Sequence, residues 1–130
     1  IGDMDTPYPM SSLEWMRGMD YLERVYFRNI KLENRDTSAL DSVPSLRRFD
    51  FPAGMFTTEE IAYMCAKYPH IEGNSMGAYN TEDAILNDVR ICGYRKPGLD
   101  LPQGQARLEK YIKEFDALVE KYKAELKNNT

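Results

Sequence analysis

Histidine, cysteine and tryptophan are almost missing from this 130-residue chain, which has one His, two Cys and one Trp. So few imidazoles and thiols leave little material for a zinc ribbon, a di-iron bundle or a disulfide scaffold, because each needs several ligands or bridges at close, regular spacing. The thiols, Cys65 and Cys92, form no C-x-x-C pair, and two reduced, unligated cysteines are expected, with a disulfide between them as the alternative. Long apolar runs are missing too. The longest is Ile61–Ala66, far short of the roughly 20 residues that a bilayer-spanning helix needs. A formal charge of −4 argues against general nucleic-acid binding. Neither a Gly-rich dinucleotide fingerprint nor a phosphate loop is present, so no cofactor is expected.

What the chain does have is core material. Apolar residues make up 42% of it, aromatics 12% and charged residues 29%, which suits one folded domain rather than a disordered chain. The start at Ile1 reads as an N-terminus either processed away or lying outside this sequence, so the compartment is not legible in these residues, and an organellar, mitochondrial setting is the expectation consistent with such a start.

The spacing of apolar residues points to a mainly α fold of about four helices, two long and two short. Long ordered loops and an extended N-terminal arm complete it. Residues 1–11, with Pro7 and Pro9, form the arm. Residues 12–127 form one helical domain, and 128–130 a frayed tail. A first long helix is expected over 12–33, opened by a Ser11/Glu14 capping box and buried through Trp15, Met19, Leu22, Tyr26 and Ile30. Periodicity stops over 34–56, where Pro44 and Pro52 deny a helix while Phe49, Phe51 and Phe56 demand burial. This segment reads as an irregular strap. Thr57 with Glu60 caps a short helix to about Lys67, stopped by Pro69. A third helix is expected over 82–92, ended by Gly93. The last runs over 103–127, where Leu108, Ile112, Phe115, Val119, Tyr122 and Leu126 alternate steps of four and three, a coiled-coil-like seam.

Chemistry-bearing patterns are sparse, and each has a plain structural alternative. Gly73-Asn74-Ser75-Met76-Gly77 matches the G-x-S-x-G of serine hydrolases, but no strand precedes it and His70 lies upstream. A Gly/Ser loop is the better reading. Cys65, His70, Cys92 and Glu72 could meet as metal ligands, and Cys65 with His70 as a nucleophilic pair, yet their spacing is loose for either. No catalytic or metal residue is therefore assigned.

Interaction patterns are richer. Arg24, Arg28, Lys31 and Arg35 form a basic stripe on the expected first helix, and Arg47 and Arg48 follow on the strap; these suit anionic headgroups or an acidic protein face. Four helices cannot cover all the apolar side chains, so Phe49, Phe51, Phe56 and the seam Leu108, Ile112, Phe115, Val119, Tyr122 are expected to dock on other protein subunits. The function expected is a non-catalytic accessory subunit of a multiprotein assembly, on the aqueous side if that assembly is membrane-bound. A free-standing module binding a ligand or peptide is the alternative, and an enzyme using Cys65 and His70 a third.

Overall fold

From Arg24 to Arg28, and again from Ile30 to Leu32, exposed and buried side chains alternate. In a computed structural model, which describes residues 8–28, 30–82 and 87–128, Val25, Phe27, Ile30 and Leu32 are buried while Arg24, Tyr26, Arg28 and Lys31 are exposed. That alternation belongs to strands, and the β-branched and aromatic residues here favour a pleated surface. The long helix expected over 12–33 is therefore absent. Its first turn is a 3-10 segment, Glu14–Met16, and Gly18 then adopts φ +84°, a left-handed conformation that no α-helix continues through. Met16 is fully buried whereas Trp15, expected on the core face, is 43% exposed. Ser11 and Glu14 form no capping box. Glu14 instead accepts from Arg17 Nε at 2.6 Å.

Strand β1 (Tyr8–Met10), β2 (Arg24–Tyr26), β3 (Ile30–Leu32) and β4 (Arg48–Asp50) make two interleaved parallel pairs, β1 with β3 and β2 with β4. Parallel partners cannot be joined by a tight turn. Each crossover therefore carries the other pair's strand, and the four lock together. On its far side β4 meets Glu72: the Phe49 N–H donates to the Glu72 carbonyl at 2.8 Å, and the Glu72 N–H to the Arg47 carbonyl at 2.9 Å. The strap at 34–56 thus holds a 3-10 turn, Ser38–Ser42, and the central strand β4.

Helix α1 (Thr58–Lys67) starts as its sequence dictates. Thr57 Oγ1 accepts from the Glu60 N–H at 3.1 Å and Glu60 Oε1 from the Thr57 N–H at 2.8 Å, a reciprocal cap. Strands β5 (Tyr79–Asn80), β6 (Val89–Ile91) and β7 (Gly98–Leu99) form a small antiparallel sheet. The third helix expected over 82–92 is replaced at its C-terminal end by β6, where Val89 and Ile91 are buried and Arg90 is exposed; residues 83–86 lie outside the described residues. Gly93 follows β6 rather than a helix. A Cβ there would strike Thr58 Oγ1, so the glycine serves close approach of two backbones. Helix α2 (Gln105–Asn128) matches the last expected helix within two residues.

Among the described residues the fold is mixed α/β, with two α-helices and seven short strands, and not mainly α with four helices. Phe49 sits at the centre of the core. Its ring lies 5.4 Å from that of Phe27 and 4.9 Å from that of Phe51, and Phe51 lies 5.0 Å from Phe56. Leu13, Met16, Leu46, Ile61 and Met64 close around them. A second small cluster joins Val89, Ile91 and Leu99 of the antiparallel sheet to Leu108 of α2.

Candidate functional site

The residues singled out for catalysis are taken up by structure. Ser75 is fully buried. Its hydroxyl donates to the Phe51 carbonyl at 2.7 Å and accepts from Asn80 Nδ2 at 2.7 Å, so its one proton is held by a backbone carbonyl and not by a general base. Beside it, Asn74 exchanges bonds with β4: its N–H donates to Asp50 Oδ1 at 2.8 Å, and its Oδ1 accepts from the Phe51 N–H at 3.0 Å. A Cβ at Gly73 would collide with the Phe49 carbonyl. The G-x-S-x-G segment is thus a loop stitched onto β4.

Cys65 is half-buried, and burial pushes its thiol up to about 11; at neutral pH it stays protonated and unreactive. Both cysteines are thiols, Cys92 being fully buried. His70 is exposed, its ring edge-on to Tyr68. Among the described residues no three His, Cys, Asp or Glu groups gather as a metal ion would require. No helix among them is long and apolar enough to cross a membrane.

The residues expected to dock on partners divide sharply. Phe49, Phe51 and Phe56 have no exposed surface. They fill the chain's own core, because the strap enters the sheet as β4 instead of lying over the surface. Leu108 and Phe115 of α2 are also buried within the chain, and Leu118, Val119 and Tyr122 pack partly against the main core. Tyr122 meets Tyr63 of α1 edge-on at 5.6 Å, and Ile112 packs on the second cluster. The seam is accordingly an intramolecular one, laid first on β6 and β7 and then on α1.

The basic residues are scattered. Arg47 Nη1 donates to the Pro44 carbonyl at 2.9 Å, holding its own turn, and Arg48 pairs with Asp50 at 2.9 Å. Arg24 and Arg28 point outward from the β2 region, while Lys31 stands exposed on β3. No helical stripe exists, since the 4-3-4 spacing falls on two strands, their connection and the segment after β3.

Other surface features stand in their place, Trp15 and Tyr26 among them although both were expected on a buried helix face. Trp15, Tyr21, Tyr26, Tyr79 and Tyr94 are between 41% and 76% exposed. Next to β3 lies a hollow of about 530 Å³, lined by Ile30, Lys31, Leu32 and Arg35 on one side and by Pro52, Gly54, Met55 and Tyr94 on the other. Local bonds set its walls. The Met55 N–H donates to the Pro52 carbonyl at 3.0 Å, closing the turn after β4, and the Gly93 N–H donates to the Ala53 carbonyl at 2.8 Å, which holds the Tyr94 loop beside that turn. Arg35 Nε donates to Glu60 Oε1 at 2.9 Å, so the capping carboxylate of α1 also fixes a cation at the rim. Period-two reading of Ile30-Lys31-Leu32 was the available signal for this edge, though the wall opposite comes from residues distant in sequence. The chain matches no protein-family model, and comparison with curated proteins and with solved structures finds no match.

Proposed function

We propose that this chain is a non-catalytic interaction protein, an accessory subunit that docks on other polypeptides of a larger assembly. The observation that carries this reading is the exposure of Trp15, Tyr21, Tyr26, Tyr79 and Tyr94 around a core that already buries its other bulky groups. Large aromatic rings left in water bind little there but gain much when a partner desolvates them, and they are enriched at protein interfaces. Sedimentation of the native extract tests it. The chain is expected in a particle far heavier than itself, and Tyr21→Ser with Tyr26→Ser, both at exposed positions, is expected to release a folded chain from that particle. Wild-type chain sedimenting at its own mass overturns the reading. The second reading, a free-standing module that takes a ligand or peptide, is favoured by the hollow beside β3, and that same sedimentation result would select it.

A further inference from the structure

The free edge of β3 follows from one residue on its partner. Pro9 stands opposite Lys31 in the parallel register of β1 and β3, and proline has no N–H to give. The ladder can then be made only through Lys31, whose N–H and C=O both face β1. The Glu33 N–H continues that alternation, donating to the Met10 carbonyl at 2.9 Å. Ile30 and Leu32 therefore turn their N–H and C=O groups away from β1, no described residue pairs with those groups, and both residues line the hollow. An open edge of this kind is a template for another strand.

We propose that the hollow beside β3 is a docking groove in which an extended, acidic segment of a partner polypeptide adds as a strand along Ile30–Leu32. This rests on the interaction-protein reading and names the surface and the partner's chemistry. The outward-facing ladder groups select a polypeptide, since only another backbone offers donors and acceptors in matching alternation. The apolar part of the lining, Ile30, Leu32, Pro52, Met55 and Tyr94, receives every second side chain of such a segment. Charge sets the rest. Lys31 and Arg35 line the hollow, and no carboxylate among the described residues does. Among the described residues Lys31 has no ion-pair partner, and Glu60 engages Arg35 through Nε alone, which leaves the terminal amino groups for an incoming carboxylate. The segment that fits carries acids between apolar residues.

The test uses the full chain, isotope-labelled, with three synthetic octapeptides: one alternating Glu with Val, the same peptide N-methylated along one edge, and one with Lys in place of Glu. The acidic peptide is expected to shift the amide signals of Ile30 and Leu32 and slow their exchange, while the methylated and basic peptides do not. Lys31→Glu, at an exposed position, is expected to weaken the acidic peptide about tenfold at low salt and to admit the basic one. Shifts centred on Arg24 and Tyr26, equal binding of all three peptides, or a peptide-free dimer that Lys31→Glu dissolves would each overturn the proposal, the last pointing to a second copy of the chain. The two readings fail separately. Wild-type chain sedimenting alone in native extract removes the interaction-protein reading, whereas a Lys31→Glu chain that stays in the heavy particle removes the groove and leaves that reading standing.

Discussion

Ser75 sits between the Phe51 carbonyl and the Asn80 amide, so deleting its hydroxyl removes the donor to a backbone carbonyl and the acceptor of an Asn80 Nδ2–H in a buried place. Ser75→Ala is expected to cost about 1–3 kcal/mol, read from the urea midpoint, as for a buried polar group left without its partner. Gly73→Ala should be far worse than Gly77→Ala, because a Cβ at Gly73 meets backbone and one at Gly77 meets nothing within 4 Å; comparing their melting temperatures checks this. Asp41 supplies a pH dependence. Burial works to raise its carboxyl, but the Tyr68 hydroxyl at 2.6 Å and the Lys67 ammonium at 3.1 Å outweigh it, and the carboxyl is held below its ordinary value of 3.8. A depressed acid stabilises the fold above its unfolded value and loses that contribution as pH falls through the folded one. Wild type should therefore lose stability relative to Asp41→Asn as pH drops below about 4, and parallel melting curves that keep a constant offset would refute it. Cys65 should resist alkylation at pH 8 in the native state, since raising a thiol from 9.0 to about 11 cuts its thiolate about a hundredfold.

At the scale of elements, α2 spends its seam inside the molecule. Phe115→Ala is expected to cost about 3–5 kcal/mol in the isolated chain, the range for a buried ring, and Leu126→Ala much less, because Leu126 is half-exposed. Equal, small losses would contradict the intramolecular seam. Helices α1 and α2 were legible because their signals are local: Thr57 with Glu60, the stop at Pro69, and six apolar residues at steps of four and three. The four interleaved strands were not. Trp15, Met19, Leu22, Tyr26 and Ile30 match a helical period by position, yet Val25 with Phe27 and Ile30 with Leu32 each match a strand period within the same stretch. Gly18 and the non-local pairing with β1 and β4 decide between them. Strands of three residues carry too few side chains to announce a period, and parallel partners some 20 residues apart leave no hairpin signal. The strap's demand for burial was read from Phe49, Phe51 and Phe56, but its destination, a central strand, depends on β2 and Glu72.

For the whole molecule, the central claim is that the chain closes its own core and leaves the edge of β3 open. Phe49, Phe51 and Phe56, once expected to need a partner, are buried by Phe27, Leu46, Ile61 and Met64 of the same chain. On the proposed reading, such a chain would fold alone and bind through surface rings and a strand edge, rather than by completing its core on a partner. The hollow escaped sequence reading for the same reason as the strands: Leu32 and Tyr94, far apart in sequence, line one hollow, and the Gly93 bond to Ala53 ties the Tyr94 loop to the turn after β4. Residue-resolved amide hydrogen exchange on the isolated chain tests the claim most directly. The account predicts that Phe49 and Phe51, whose N–H groups donate to the Glu72 carbonyl and Asn74 Oδ1, exchange only with global unfolding. Lys31 should be protected, while its neighbours Ile30 and Leu32 exchange fast despite buried side chains. Ile30 and Leu32 as slow as Phe49, or a strap that exchanges freely, would contradict it.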